Sequence, residues 1–161
     1  MELHNTKIDI KKGTREKVIG ILNQRLADAN DLKSQAKQAH WNVKGMNFIA
    51  LHELFDRVAT ELDPHADDIA ERITTLGGVA LGTVRVAAQN SSLAEYPLEI
   101  SDGAAHVDAL SNALADFGKK VRANIDDTDE LGDKDTADLF TGISRDLDKQ
   151  LWFVEAHLQG E

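Results

Sequence analysis

Apolar residues recur every three or four positions along four long stretches of the chain, which is the period of a helix with one buried face. The first stretch runs from Val18 to Ala39 and breaks at Asn42–Gly45. The second begins near Asn47, a favourable helix-capping residue, and stops at Gly77–Gly78. No segment alternates apolar and polar residues as a half-buried strand does. The pattern therefore predicts helices throughout.

The second half of the chain carries two more helical stripes. They predict a third helix over about 101–125 and a fourth over about 135–158, separated by an acidic loop at 126–135. The connection over 77–101 is too long for neighbouring antiparallel helices, so we expect helices two and three to run the same way. Within it, Ser91–Tyr96 predicts one short helix. The predicted fold is all-α, a four-helix bundle with a short extra helix in the long crossover.

Residues 1–13 lack this periodicity and are predicted to form an N-terminal arm, with Thr14 as the cap of the first helix. The remaining residues, 14–161, form one bundle domain, which suits a chain of 161 residues. The sequence has no apolar run long enough to span a membrane and no apolar signal core at its N-terminus. Cysteine is absent, which fits a reducing compartment, so the cytoplasm is the expected location.

Charge is distributed unevenly along the sequence. Residues 1–44 contain nine Lys and Arg against five Asp and Glu, whereas residues 45–161 contain nine against 23, and the net charge is −10. An acidic body of this kind repels nucleic acid and attracts cations. The arm offers only three lysines to a phosphate backbone, and two acidic residues offset them.

Four potential metal ligands in the second helix have a spacing that reads the same in both directions. They are His52, Asp56, Asp67 and Glu71, separated by four, eleven and four residues. At ~100° per residue, the last three lie about 40°, 60° and 100° around the helix from His52, so all four share one face. Asp56 and Asp67 are about 16 Å apart along the axis, too far to share an ion within one helix.

An antiparallel second copy of the helix resolves this problem. A two-fold axis between residues 61 and 62 would place His52 opposite Glu71 of the second copy and Asp56 opposite its Asp67. His40, at the end of the first helix, can fold back beside His52. Each site would then combine two imidazoles with three carboxylates, a ligand set that suits ferrous iron and also accepts zinc or manganese.

Other interpretations of these residues remain open. Each carboxylate taken alone is most simply a solvated surface group. His52-Glu53-Leu54-Phe55-Asp56 approaches the His-Glu-x-x-His pattern of metalloproteases but lacks the second histidine. A metal site inside one bundle would need Glu-x-x-His motifs, which the sequence does not contain. Pro64 is expected to kink a continuous second helix rather than to end it.

The complete ligand pattern resembles that of the Dps family, the DNA-binding proteins from starved cells, which are miniature ferritins. The family has a His-Trp pair followed by His, Asp, Asp and Glu at fixed intervals. This chain matches it with His40-Trp41, His52, Asp56, Asp67 and Glu71. The segments AKQAHWNVKGMNFIALHE, LGGVALGT, YPLEI and DTADLF also resemble the family, and the likeness extends over about residues 14–158.

This resemblance implies a hollow dodecamer built from two-fold dimers, with a ferroxidase site at each dimer interface. Fe(II) would be oxidised there, preferably by hydrogen peroxide, and Fe(III) stored inside as protection against oxidative stress. The five ligands would be His40, His52 and Asp56 from one subunit with Asp67 and Glu71 from its partner. Trp41 would pack beside the site or, alternatively, in the core.

The resemblance also implies an iron-conducting pore near the start of the last helix, for which the candidates are Asp133, Asp135 and Asp138. The alternative for this segment is a solvated loop with Asp135 as the helix cap. Family members that condense DNA often carry a longer, lysine-rich arm, so we expect DNA binding here to be weak or absent. A nucleoid structural protein is the alternative function. The remaining histidines are expected to be exposed: His4, His65, His106 and His157.

Overall fold

Four long helices and one short helix make up the regular structure in the computed structural model, which describes residues 3–159. In chain order they are α1 (Lys12–Asn42), α2 (Phe48–Thr75), α3 (Val84–Asn90), α4 (Gly103–Glu130) and α5 (Lys134–Glu155). The other regular feature of these residues is one parallel bridge between Lys44 and Asp102. The prediction of an all-α bundle with a short extra helix is therefore confirmed.

The apolar stripes face one another in a single core. Helix α1 packs on α2 and α4, and α5 packs on α4 and α2. Phe55, Phe117 and Phe140, from three different helices, are fully buried together with the leucines and isoleucines of the stripes. Burial of this apolar area is the main favourable term for the fold. Among residues 3–159, no helix is both long and apolar enough to cross a membrane.

Helix α2 continues without interruption through Pro64, as predicted. It ends at a turn in which Gly77 has φ +86°, a conformation that favours glycine. A Cβ on Gly77 would lie 2.5 Å from the main-chain oxygen of His4, so glycine also permits close approach of the N-terminal segment. That segment is held there, because the His4 amide donates to the Gly77 carbonyl at 2.8 Å.

The short helix does not lie where the sequence predicted. The structure has it at Val84–Asn90, capped by the Thr83 hydroxyl, while the predicted segment Ser91–Tyr96 is irregular. Buried Asp28 of α1 accepts hydrogen bonds from both the amide (2.7 Å) and the hydroxyl (3.1 Å) of Ser92. Because these bonds take the place of helical ones, they hold this part of the crossover extended along α1.

Two predicted helix ends also differ from the structure. Helix α1 begins at Lys12, so Thr14 is not its cap, and the Thr14 hydroxyl instead donates to the Leu131 carbonyl. The acidic stretch at 126–135 is mostly helical, since α4 continues to Glu130 and α5 begins at Lys134. The predicted acidic loop is therefore reduced to the short turn between the two helices.

Candidate metal centre

His40 and His52 form a stacked pair where the end of α1 meets the start of α2. Their ring centroids are 3.8 Å apart, with an interplanar angle of 22°. Nδ1 of His40 lies 2.7 Å from the His52 carbonyl oxygen, and Nδ1 of His52 lies 2.8 Å from the His40 carbonyl oxygen. The predicted approach of His40 to His52 is therefore present in the fold.

These reciprocal hydrogen bonds determine which ring nitrogens remain for a ligand. A carbonyl only accepts, so in the neutral imidazoles each Nδ1 carries the hydrogen and donates it. The lone pair then remains on Nε2 of both rings, the tautomer in which a histidine binds a metal through Nε2. Bonds from the other ring nitrogen to a backbone carbonyl also orient metal-binding histidines in general. The two imidazoles fit a divalent metal of the iron, zinc or manganese type.

Asp56 lies one helical turn after His52 and is half-exposed. Its carboxylate accepts a hydrogen bond from Lys37 Nζ at 2.6 Å, which links it to α1. The Lys37 hydrogen bond, with a smaller contribution from the Lys37 charge, lowers the pKa of Asp56 below its ordinary value. Asp56 therefore remains an anion beside the two rings over a wide pH range.

Asp67 and Glu71 lie further along the same helix and are exposed to solvent. Asp67 borders an open cleft of about 530 Å³ between α2, α1 and the start of the crossover. Within residues 3–159 of one chain, no three His, Asp or Glu side chains are arranged to hold a metal ion. One chain thus brings together His40 and His52, with Asp56 on the next turn, but leaves Asp67 and Glu71 apart. Their joint use as ligands stays a prediction.

Trp41 does not pack in the core of the chain, so that alternative is wrong. Its side chain is 66% exposed. Lys37 Nζ lies 5.7 Å from the centre of the indole ring, which places the ring beside the Lys37–Asp56 ion pair. The chain therefore presents an exposed indole beside the ion pair that holds Asp56.

The three acidic residues at the start of α5 differ in their surroundings. Asp133 is 1% exposed and caps the helix through Thr136, while Arg72 Nη2 donates to its carboxylate at 2.7 Å. The predicted cap Asp135 is thus wrong, and Asp133 is not a solvent-facing pore residue in this chain. Asp135 and Asp138 are exposed, and they remain the candidates for a pore.

Sequence reasoning missed two neighbours of the histidine pair. Phe48 lies one turn before His52, and its ring centroid is 5.0 Å from that of His52. Lys37 lies three residues before His40 and four before Trp41 on α1, a spacing that indicates a shared face. The prediction of exposure is also wrong for His106, which is 1% exposed, and His65 is partly buried against Asp146.

A bundle of four long helices with a short helix in a long crossover is the architecture of the ferritin-like class of proteins. The model of the ferritin-like domain matches residues 19–160. A DNA protection during starvation protein from Agrobacterium fabrum is 50% identical over 159 residues, which cover 99% of this chain and 98% of the relative. One from Mycolicibacterium smegmatis is 34% identical over 88% of this chain and 77% of its own length.

Solved structures agree with this relationship. DpsA14 from Streptomyces coelicolor is 36% identical, with a TM-score of 0.93 over 99% of this chain and 96% of its own. Dps from Microbacterium arborescens in the high iron form is 33% identical, with a TM-score of 0.86 over 93% of this chain and 97% of its own. The chain belongs to the Dps family of ferritin-like proteins.

Proposed function

We propose that this protein oxidises Fe(II) at sites shared between two subunits and stores the Fe(III) inside a hollow dodecamer. Hydrogen peroxide is the preferred oxidant, and the activity protects the cell from oxidative stress. The observation that carries the proposal is the reciprocal hydrogen bonding of His40 and His52, which leaves the Nε2 lone pairs of two stacked, partly exposed rings for a metal. Iron is the substrate and the stored product. The similar Microbacterium arborescens protein, described in a high iron form, supports this choice of metal.

The ligand set suits the change in oxidation state of iron. Imidazole nitrogens bind Fe(II) well, whereas carboxylate oxygens favour the harder Fe(III) ion. Two Fe(II) ions give one electron each to one peroxide molecule, which takes up two protons and becomes two molecules of water. Because peroxide receives both electrons, no hydroxyl radical leaves the site. The ionised Asp56 beside the rings provides negative charge before iron arrives.

The second subunit is proposed to supply Asp67 and Glu71. Both side chains are exposed on the ligand face of α2, and Asp67 borders an open cleft, so both are accessible to a second subunit. When two α2 helices lie antiparallel, the palindromic spacing brings the histidine half of each site, His52 and Asp56 with His40, opposite the carboxylate half, Asp67 and Glu71, of the other chain. Exposed Trp41 is proposed to be covered in the same contact. Asp135 and Asp138 are proposed as acidic residues along the path by which iron reaches the interior.

Mixing two inactive variants tests whether the site is shared. His52→Ala and Asp67→Ala should each suppress peroxide-driven Fe(II) oxidation, measured by the absorbance of Fe(III). When the two variants are dissociated and reassembled together, some interfaces join an intact histidine half to an intact carboxylate half, so part of the activity should return. The matched control is reassembly of each variant with itself.

Two results would contradict the proposal in different ways. Unchanged oxidation in both single variants would show that these residues are not iron ligands. Loss of activity without recovery on mixing, in particles shown to contain both variants, would assign the complete site to one chain.

Weak or absent DNA binding at physiological salt is a second part of the proposal, although the relatives bear the name of DNA protection. The arm's cations Lys7, Lys11 and Lys12 are exposed, but the segment is anchored to the bundle through His4 and Gly77. Twelve arms with so few cations would release few counterions from DNA. A gel-shift series against salt tests this, and tight binding at about 150 mM salt would favour the nucleoid role. The absence of cysteine is consistent with the cytoplasm as its proposed location.

A further inference from the structure

Tyr96 and His106 form a buried polar contact that the proposed iron chemistry does not use. The Tyr96 hydroxyl oxygen lies 2.7 Å from Nδ1 of His106, and the two rings are nearly parallel, 18° apart, at a centroid distance of 6.0 Å. His106 is 1% exposed, whereas Tyr96 is half-buried. Tyr96 is the single tyrosine of the sequence. Its crossover segment is positioned by the Asp28–Ser92 bonds described above.

The direction of this hydrogen bond follows from the surroundings. Within the described part of the chain Nδ1 of His106 is the one hydrogen-bond partner of the Tyr96 hydroxyl, and a neutral imidazole accepts at one ring nitrogen, so we assign the phenol as the donor. Burial raises the pKa of Tyr96 and lowers the pKa of His106, so the phenol is protonated and the imidazole is neutral at pH 7. The resting pair is therefore a neutral donor bonded to a neutral base.

We infer that Tyr96 and His106 are a redox-active pair, in which the phenol gives one electron to a strong one-electron oxidant while its proton moves to Nδ1 of His106. The products are a neutral phenoxyl radical on Tyr96 and an imidazolium on His106. When the oxidant is a hydroxyl radical, it takes the electron and becomes hydroxide, so charge and atoms balance. Transfer of the proton along an existing bond avoids a charged phenol cation in an apolar site.

The groups around His106 fit the charge that this step creates. Nε2 of His106 makes no hydrogen bond of normal geometry within residues 3–159, but main-chain groups of Asn42 and Ile100 lie close to the ring and favour its charged form. The carboxylate of Asp102 acts in the same direction. These groups raise the pKa of His106 against the larger effect of burial, so the imidazolium has nearby partners when it forms.

Phe55 connects the pair to the helix that carries His52. The ring centroid of Phe55 lies 6.4 Å from that of His106, and Phe55 follows His52 by one turn of α2. On its other side, Tyr96 borders a surface cleft of about 390 Å³. When a site holds only one Fe(II) ion, peroxide receives a single electron and splits into hydroxide and a hydroxyl radical, which would find an oxidisable phenol within the same subunit. The proposed ferroxidase function enters this inference only as the source of the oxidant in the cell.

An iron-free experiment tests the pair separately from ferroxidase activity. The metal-depleted full-length protein is mixed with tris(bipyridine)ruthenium(II) and persulfate, flashed with light, frozen and measured by electron paramagnetic resonance. We expect a phenoxyl signal, which only Tyr96 can produce. Electron-nuclear double resonance in H2O and D2O should reveal an exchangeable proton hydrogen-bonded to the phenoxyl oxygen, since His106 retains the transferred proton.

The variants separate a redox role from a structural one. Tyr96→Phe should abolish the signal, and His106→Gln should slow its formation about 100-fold, the low end of the effect of a positioned base. His157→Gln changes an exposed histidine and should form the radical at the wild-type rate. If a low melting temperature shows that His106→Gln folds poorly, the electron-nuclear double resonance measurement on the wild-type protein tests whether the proton stays hydrogen-bonded to the phenoxyl oxygen.

The outcomes distinguish this inference from the ferroxidase proposal. No phenoxyl signal in the wild-type protein, no exchangeable proton near it, or wild-type kinetics in a folded His106→Gln variant would each overturn the redox pair. His52→Ala should lose peroxide-driven iron oxidation yet retain the light-driven phenoxyl signal. Normal iron oxidation in His52→Ala would refute the iron site alone and leave the redox pair standing.

Discussion

The two ends of the ligand face on α2 provide an informative comparison. At the first end, His52 and Asp56 are held by α1, through the exchange of hydrogen bonds with His40 and the ion pair with Lys37. At the second end, Asp67 and Glu71 are exposed, and within residues 3–159 neither carboxylate has a hydrogen-bond or ion-pair partner, since the Thr74 hydroxyl donates to the main-chain carbonyl of Glu71. The same helix thus carries one half-site that is ordered by its own chain and one that is not.

The difference indicates how such a site can be assembled at low cost. Side-chain ordering costs up to about 2 kcal/mol for each long flexible group. His40 and His52 have already incurred this cost in folding, because their stacking and their bonds to main-chain carbonyls fix both rings. The proposed partner then needs to order only two carboxylates, and metal affinity depends on the formation of the interface.

The largest effect should come from removing a carboxylate at the unsupported end. Asp67→Asn should lower the rate of peroxide-driven Fe(II) oxidation about 100-fold, since it removes a proposed ligand and even outer partners of metal ligands contribute 10–100-fold. Its melting temperature should not change, because the side chain is exposed. The matched control is Asp68→Asn, which alters the next exposed acid outside the ligand face. Equal rates in the two variants would remove Asp67 from the site.

A second contrast of the same kind lies at the start of α5, where Asp133 is bonded within the chain and Asp138 is exposed. Asp133→Ala removes the helix cap and leaves the Arg72 guanidinium without its main partner, so the free energy of unfolding should fall by about 2–3 kcal/mol. Asp138→Ala should change it by less than about 0.5 kcal/mol. Urea unfolding followed by circular dichroism measures the free energy of unfolding of both variants. Similar losses in the two would show that Asp133 is no more important for stability than Asp138.

A smaller effect on stability should separate the two halves of the candidate site. His40→Ala removes a hydrogen bond to the His52 carbonyl and the ring that stacks on His52, which should cost about 1–2 kcal/mol of unfolding free energy. Glu71→Ala should cost less than about 0.5 kcal/mol in the same measurement, because its side chain is exposed. If Glu71→Ala lowers the free energy of unfolding as much as His40→Ala does, the carboxylate half is ordered by contacts between assembled subunits.

The smallest effect concerns the protonation of Asp56. The hydrogen bond from Lys37 holds the pKa of Asp56 below the ordinary value of about 3.9. Its contribution to stability is therefore present above that value and is lost as pH falls through the lower, folded-state pKa. A carboxyl titration by NMR should give a low midpoint that rises in Lys37→Met. Lys33→Met, which removes the similar ion pair with Asp63, is the control and should leave the Asp56 midpoint unchanged.

The helices and the composition of the ligand face could be predicted because both depend on spacing along the chain. A 3.6-residue period identified all four long helices, and the fixed rotation per residue put His52, Asp56, Asp67 and Glu71 on one face. Continuation of α2 through Pro64 followed from the absence of loop-like residues around it. The shared site itself remains a proposal, since its geometry lies between chains.

Errors arose where a residue's partner is distant in sequence. The short helix was predicted too late because Asp28, 64 residues before Ser92, takes the hydrogen bonds that a helix would need. Asp133 rather than Asp135 caps α5, and its burial depends on Arg72, 61 residues earlier. His106 was expected to be exposed, but it lies beneath the crossover, where Tyr96 covers it.

The sequence by itself determined the number of long helices, the residues that face the core and the row of metal-binding side chains, because periodic burial and helical rotation are local properties of the chain. Only the tertiary structure decided which polar groups are bound within the chain and which remain exposed. Those outcomes depend on contacts between α1, α2, the crossover and α5. A buried polar group must find a partner wherever the fold brings one, and sequence separation does not specify that partner.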